Sequence, residues 1–197
     1  MAWTNQNSTT MTTIDNRLNE LWAGCLKNDR KQQELLYNAL TPRMMAVCMR
    51  YARDKDEAQD ILQEGFIKMF RSAQHYRGEG SLEGWVRRIM VHTALSRYRK
   101  LKPLVLVDDF AEGEYQTTGG YNVSGLEVKD LLRIIQKLPQ TYRSVFNMYA
   151  IEGYSHQEIG QTLGISELLS RTNLCRARTI LKDKINRLTS APQAMAC

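Results

Sequence analysis

Cysteine and histidine are scarce in this chain and widely scattered. Its 197 residues include four cysteines, Cys25, Cys48, Cys175 and Cys197, and three histidines, His75, His92 and His156. No C-x-x-C pair and no cysteine–histidine cluster at zinc-ligand spacing occurs, which argues against a metal site and implies no cofactor. Reduced thiols in a cytoplasmic protein are the plain reading. Long apolar runs are missing as well. "PLVLV" is one of the few obvious apolar stretches, far short of the roughly 18 residues of a membrane span. The first residues, "MAWTNQNSTTMTT", lack the basic start and apolar core of a secretory signal, so a cytoplasmic location is expected. No strand-like alternation, no internal repeat and no converging nucleophile–base or metal set is found, so an enzyme is not expected.

What the sequence does contain is helical periodicity and positive charge. The formal charge is +6, unevenly spread: residues 1–40 balance, 41–100 carry +5, 101–130 carry −4 and 131–197 carry +5. Two basic blocks around an acidic joint suggest two contacts with a polyanion, the alternative being a solvated basic surface. The expected fold is all-α: two small helical domains, 1–101 and 128–197, on a flexible acidic linker, 102–127. The linker stretch "VDDFAEGEYQTTGGYNVSG" is acidic and glycine-rich.

In the first block, "TTIDNRLNELWAGCLKN" puts Ile14, Leu18, Leu21, Trp22 and Cys25 on one face. The next stretch offers Leu35, Leu36, Leu40, Met44, Val47, Cys48 and Tyr51. Pro42 either begins a new helix there or kinks one. Asp54 and Glu57 mark a helix start. That helix buries Ala58, Ile61, Leu62, Phe66, Met69 and Phe70, and shows Asp60, Gln63, Glu64 and Lys68 on its other side. "HYRGEGSLEG" reads as a loop, followed by "WVRRIMVHTALSRYRK", a basic helix with Trp85, Ile89 and Ala94 on one face. An aromatic residue, a flexible loop and a basic helix are the ingredients for gripping single-stranded nucleic acid. Trp85 itself reads more readily as core, because a tryptophan at helical spacing is more often buried than not.

In the second block, Ser155 and Glu158 match a capping box, Gly164 suits a left-handed turn, and Ser166 caps the next helix. Ile159, Leu163 and Ile165 form an apolar seam, with Gly160 small where two helices approach. This is a helix-turn-helix pattern, whose second helix enters the major groove. Leu174, Ala177, Leu181, Ile185 and Leu188 line its apolar stripe. Ser170, Arg171, Thr172, Arg176 and Arg178 are its candidates for base edges and phosphates.

"RDKDEAQDILQEGFIKMFRSAQHYRGEGSLEGWVRRIMVHTALSRYRK" resembles the second conserved region of bacterial sigma factors. "LPQTYRSVFNMYAIEGYSHQEIGQTLGISELLSRTNLCRARTILKDKI" resembles their fourth. With these two regions and a short linker, the chain is similar to the extracytoplasmic-function (ECF) group of the sigma-70 family. The resemblance implies a factor that binds core RNA polymerase and directs promoter recognition, melting and initiation. It implies that Asp60, Gln63 and Glu64 meet the β′ clamp, although a solvated acidic face fits the residues equally well. It implies that Arg77, Ser81, Leu82, Trp85, Arg88 and His92 serve the −10 element, with a flipped non-template base captured by the loop from Arg77 to Gly84. Ser170, Arg171, Thr172, Arg176 and Arg178 would serve the −35 duplex. The C-terminal domain would also meet the β flap, and the acidic linker would thread toward the polymerase active site. An anti-sigma protein, commonly membrane-anchored, is a further implied partner. The rival readings are a DNA-binding regulator that leaves polymerase's sigma site alone, and a nucleic-acid-modifying enzyme.

Three departures from the family pattern stand out. His92 replaces the usual asparagine. Gly65 sits inside the clamp-binding helix, where glycine costs about 1 kcal/mol against alanine. Leu168 and Leu169 replace a Gly-Thr pair. For the leucines three roles are open: contact with thymine methyls, packing against a helix or an inhibitor, and an effect that disfavours DNA.

Overall fold

The computed structural model describes residues 5–101 and 128–189, with side chains from 16 to 98 and from 130 to 188. The expected linker, 102–127, and the tail from 190 lie outside the described residues. Among those described there are eight α-helices and no strand, as the periodicity predicts. The chain divides into two compact units, Met1–Arg97 and Tyr98–Cys197, so the division falls just before the expected boundary at 101. No described helix is long and apolar enough to cross a membrane.

The first unit contains α1 (Asn5–Leu26), α2 (Arg30–Tyr51), α3 (Lys55–Arg71), a single 3₁₀ turn (Ala73–His75) and most of α4 (Leu82–Leu101). Side-chain oxygens set two of the starts. Asp29 accepts from the N–H groups of Lys31 and Gln32, and Asp54 accepts from that of Glu57 at 2.8 Å. Glu57 is buried, yet its carboxylate takes the backbone N–H of Arg53 at 2.7 Å and that residue's guanidinium at 3.2 Å. α2 runs unbroken through Pro42. Asn38, whose carbonyl loses its partner there, is exposed together with Pro42, so water can replace the missing N–H. α2 packs against α1 and α3. Leu36, Leu40, Met44, Val47, Cys48 and Tyr51 enter the core, whereas Leu35 remains exposed.

α4 differs from expectation in two ways. It starts at Leu82, not Trp85, because the Ser81 hydroxyl accepts the N–H of Gly84 at 3.1 Å and its carbonyl accepts that of Trp85. Its buried ladder is therefore Leu82, Val86, Met90 and Ala94, one residue on from the expected Trp85 and Ile89. The ladder explains Gly65. A Cβ there would collide with the sulfur of Met90, so the glycine lets α3 and α4 close around that side chain.

The second unit contains α5 (Val128–Gln136), α6 (Gln140–Phe146), a π-helical turn (Asn147–Ile151), α7 (His156–Leu163) and α8 (Glu167–Thr189). Ile134, Leu138, Tyr142, Ala177 and Leu181 form its core, flanked by Ile135, Phe146, Ile180 and Ile185. Leu188, expected on this stripe, is exposed. Arg143 is buried with its guanidinium donating to the Gln136 carbonyl at 2.9 Å, placing a cation at the negative end of α5.

The α7–α8 joint follows the sequence closely. The Ser155–Glu158 capping box is formed, and Gly164 is left-handed at φ 73° and ψ 33°. The Ser166 hydroxyl accepts the Leu169 N–H at 3.1 Å. A Cβ at Gly160 would stand 2.7 Å from the carbonyl oxygen of Ile165, which belongs to the turn's own backbone. Alanine there should gain about 1 kcal/mol of helix propensity and lose more than that to the clash. Gly160→Ala is expected to destabilise the second unit by about 1–3 kcal/mol net. Urea unfolding followed by far-UV circular dichroism measures it, and an unchanged midpoint would remove the close approach as a constraint.

Candidate nucleic-acid interfaces

The first candidate surface is the loop before α4 and the outer side of that helix. Gly78 and Gly80 both adopt positive φ, 76° and 84°, and bend the chain back between Tyr76 and Ser81. The Tyr76 hydroxyl donates to the Gly80 carbonyl at 2.9 Å and closes this bend. The Tyr76 ring belongs to an aromatic triad. Its centroid lies 5.8 Å from that of Trp22 and 5.2 Å from that of Trp85, and the two tryptophans are 5.5 Å apart. Edge-to-face and tilted pairs of this kind add about 0.5–1.5 kcal/mol each beyond area burial. The triad ties α1, the loop and α4 together.

Arg77, Ser81, Arg88 and His92 are exposed, and Trp85 is half-buried. Trp85, Arg88 and His92 follow one another at helical spacing and share a face of α4. His92 has its proton affinity lowered by partial burial and by Arg88 one turn earlier, which favours the neutral imidazole. Leu82 requires correction. It is 2% exposed and anchors α4 in the core, so it supports the loop from below and offers no surface to a ligand. The hydroxyl of Ser81 is the helix cap, so that exposed residue has a structural task as well.

The second surface is the outer side of α3. Asp60 and Gln63 are exposed and Glu64 is half-exposed. They are not merely solvated: Asp60 accepts from Arg97 of α4 at 2.7 Å, and Glu64 pairs with Lys68 at 2.8 Å. Gln63 enters neither pair. Pairs this exposed contribute about 0–1 kcal/mol to stability.

The third surface is the beginning of α8. Arg171 and Arg178 are exposed, while Thr172 and Arg176 are half-buried. Arg171 donates to Glu167 at 2.6 Å, and the Arg178 guanidinium lies 5.8 Å from the centroid of the Tyr149 ring. Ser170 is the second correction. It is completely buried, and its hydroxyl lies 2.9 Å from Nδ1 of His156. It therefore joins α7 to α8 and cannot touch a base. His156 in turn stacks on Tyr149, with centroids 4.5 Å apart and planes 20° apart. Sequence reasoning missed this arrangement, because a histidine just after a helix cap carries no spacing signal. Leu168 is 74% exposed, which removes packing within this unit as its role, and Leu169 is half-buried. No group of three or more histidine, cysteine or acidic side chains that could hold a metal occurs among the described residues.

Comparison with known proteins places two matches along the chain. Residues 36–103 match Sigma-70 region 2, and residues 129–181 match Sigma-70, region 4. The chain is 30% identical over 154 residues to the ECF RNA polymerase sigma factor SigE of Mycolicibacterium smegmatis, covering 75% of this chain and 59% of that protein. It is 25% identical over 174 residues to the RNA polymerase sigma-H factor of Pseudomonas aeruginosa, covering 82% and 90%. It is 26% identical over 174 residues to the ECF RNA polymerase sigma-E factor of Escherichia coli K12, covering 82% and 91%. The chain thus spans less than two thirds of the mycobacterial relative and about nine-tenths of the other two. A solved structure of the sigma factor RpoE with the anti-sigma factor NepR from Bartonella quintana aligns at a TM-score of 0.49 and 20% identity. That alignment covers 83% of this chain and 98% of the solved one.

Two outcomes are expected from this geometry. Tyr76→Phe keeps the ring and removes the hydroxyl, so amides of residues 78–81 should exchange hydrogen about fivefold faster, the equivalent of one net hydrogen bond. Mass spectrometry of the exchanging chain reads this, and unchanged exchange would free the loop from the clip. The second outcome concerns His156, whose proton affinity is lowered by desolvation first, then by Arg171, against an opposing pull from Glu167. The unfolded chain therefore binds that proton more readily than the folded one. Stability is full above the ordinary histidine value of 6.5 and declines as pH falls below it. His156→Gln should flatten the fall in melting temperature of the second unit between about pH 7.5 and 5. A parallel fall in both proteins would contradict the assignment.

Proposed function

Because the chain belongs to the bacterial sigma-70 family, in its extracytoplasmic-function group, we propose that it binds core RNA polymerase and directs promoter recognition, melting and transcription initiation. The observation that carries this reading is the order of the two matched regions, with the second ending in a helix-turn-helix whose outer face is arginine-rich. An operator-binding regulator needs the second region alone. It has no use for the first unit's clipped loop beside exposed Arg77, Arg88 and His92.

The division of labour follows from the chemistry of each surface. The polar side of α3, with Asp60, Gln63 and Glu64, docks on the β′ clamp. α8 enters the −35 major groove, where Arg171, Arg176 and Arg178 meet phosphates and base edges while Thr172 lies between them. Opening the −10 duplex costs a few kcal/mol of unstacking. The loop after Tyr76 offsets it by receiving a non-template base. Two features favour such capture: the loop is already closed by its own hydrogen bond, and the aromatic triad fixes its base. A preformed receptor loses less conformational entropy on binding than a loose one. Trp85, Arg88 and His92 then follow the separated strand, the arginine along its backbone and the neutral imidazole toward a base.

The chain acts as an initiation factor and not as a catalyst, since bond formation belongs to the polymerase it recruits. It works in the cytoplasm. The second unit also meets the β flap, and an anti-sigma protein that covers one or both units is its regulatory partner.

The α3 surface gives the sharpest test of polymerase binding. The triple change Asp60→Ala, Gln63→Ala and Glu64→Ala should weaken affinity for purified core enzyme more than tenfold, in line with truncations of interface residues. The two surface pairs it removes are each worth about 0–1 kcal/mol, so the melting temperature should drop by only a few degrees. A folded triple variant with unchanged core affinity and unchanged promoter-dependent transcription would remove this face from the interface.

A further inference from the structure

The exposed leucine on α8 belongs to a line of side chains that offers a base no strong hydrogen-bond donor. At about 100° per residue, Leu168 stands opposite the buried set that includes Ser170, Asn173 and Ala177. Thr172 and Cys175 fall within about 40° of it, so the three residues form the centreline of the outward face. Arg171 and Arg176 lie about 60–80° to either side. Leucine has no donor. The Thr172 hydroxyl proton is committed to the Leu168 carbonyl one turn back, at 3.0 Å. A cysteine thiol is a weak donor at best. The arginines can reach phosphates on both walls of a groove, while the middle of the face is apolar and donor-poor.

The major groove displays one apolar group, the 5-methyl of thymine, and apolar side chains are the ones that recognise it. We propose that Leu168 is a specificity-determining residue that packs on a thymine methyl, so that this factor selects a thymine in the −35 duplex through its methyl group. The inference rests on the assignment of α8 to that duplex. It also accounts for an apolar side chain kept 74% exposed on a charged surface, where burial within this unit does not explain it. The neighbouring Leu169 is half-buried and takes no part.

The test uses the full-length chain and duplex DNA. A preferred sequence is first enriched from a random duplex library. Each of its thymines is then replaced singly by deoxyuridine, which pairs identically and lacks only the methyl. One replacement should weaken binding about fourfold, the expected loss for a methyl-sized apolar contact. Leu168→Ala, which leaves the core untouched, should bind the thymine duplex as weakly as the original chain binds that uracil duplex, and should be insensitive to the exchange. Selective binding with every uracil duplex bound like its parent would overturn the inference and leave the −35 assignment standing. So would a uracil effect that persists undiminished in Leu168→Ala. Enrichment of no sequence at all would overturn both.

Discussion

The contact between α7 and the turn that follows it governs what the second unit can present to a ligand. The Gly160 carbonyl accepts the N–H groups of both Gly164 and Ile165, at 2.8 and 3.1 Å. The missing Cβ of Gly160 leaves room for the Ile165 carbonyl to fold back against the same helix. These features fix the turn in a left-handed conformation and so fix the angle at which α8 departs. The polar lock between His156 and Ser170 then sets the rotation of α8 about its own axis. With angle and rotation both specified, Arg171, Thr172 and Arg176 acquire a definite outward direction before any ligand arrives. A wider joint would leave the same residues on the same helix and lose the preorganisation that recognition of a groove requires.

The first unit solves a different problem, that of keeping a short polar loop in place without burying it. Gly78 and Gly80 supply the backbone freedom, and the loop itself contributes little apolar surface. Its order is imported from outside, through Tyr76 to Trp22 and Trp85, and through Leu82 to the core. Charge is organised in the same way. On α4, Glu83 pairs with Arg43 and faces Arg87, and Arg97 is held by Asp60. The acidic partners thus neutralise the arginines that stitch helices together. Arg77 and Arg88 remain exposed beside the loop, so the positive potential of the unit is concentrated where a strand would pass.

The elements most legible in the sequence were those whose signal is local. The capping residues Asp54, Ser155 and Ser166, the left-handed Gly164 and the stripes of α3 and α8 are each dictated by residues within one or two turns. The departures from expectation are of two kinds: one is a local cap, and the others are set by a distant residue. Leu82 reads as part of a loop unless Ser81 is taken as a helix cap, and the early buried positions of α4 are then Val86 and Met90 in place of Trp85 and Ile89, while Ala94 is buried as expected. Gly65 looked like a defect because the side chain that occupies its vacancy, Met90, lies on another helix. Ser170 looked like a base reader because small polar residues early in a recognition helix commonly are, and only the fold brings His156 against it. Composition, spacing and the family resemblance propose surfaces, but do not say which of their members are committed to the interior, as Leu82 and Ser170 are.

Glu167 shows why the centre of α8 matters more than its arginine content suggests. A carboxylate in the first turn stabilises the helix through its dipole and holds Arg171 in an ion pair at 2.6 Å. Both effects reduce the positive potential at the end of the helix proposed to enter the −35 groove. Attraction to phosphate is blind to sequence and supplies most of non-specific binding, so weakening it lowers affinity for every site alike. Base-edge contacts are not weakened in proportion, because they depend on shape and on the donors and methyls in the groove. In the proposed −35 complex, a helix that tempers its own electrostatic pull while displaying an apolar centreline therefore shifts its binding free energy toward the part that distinguishes one duplex from another.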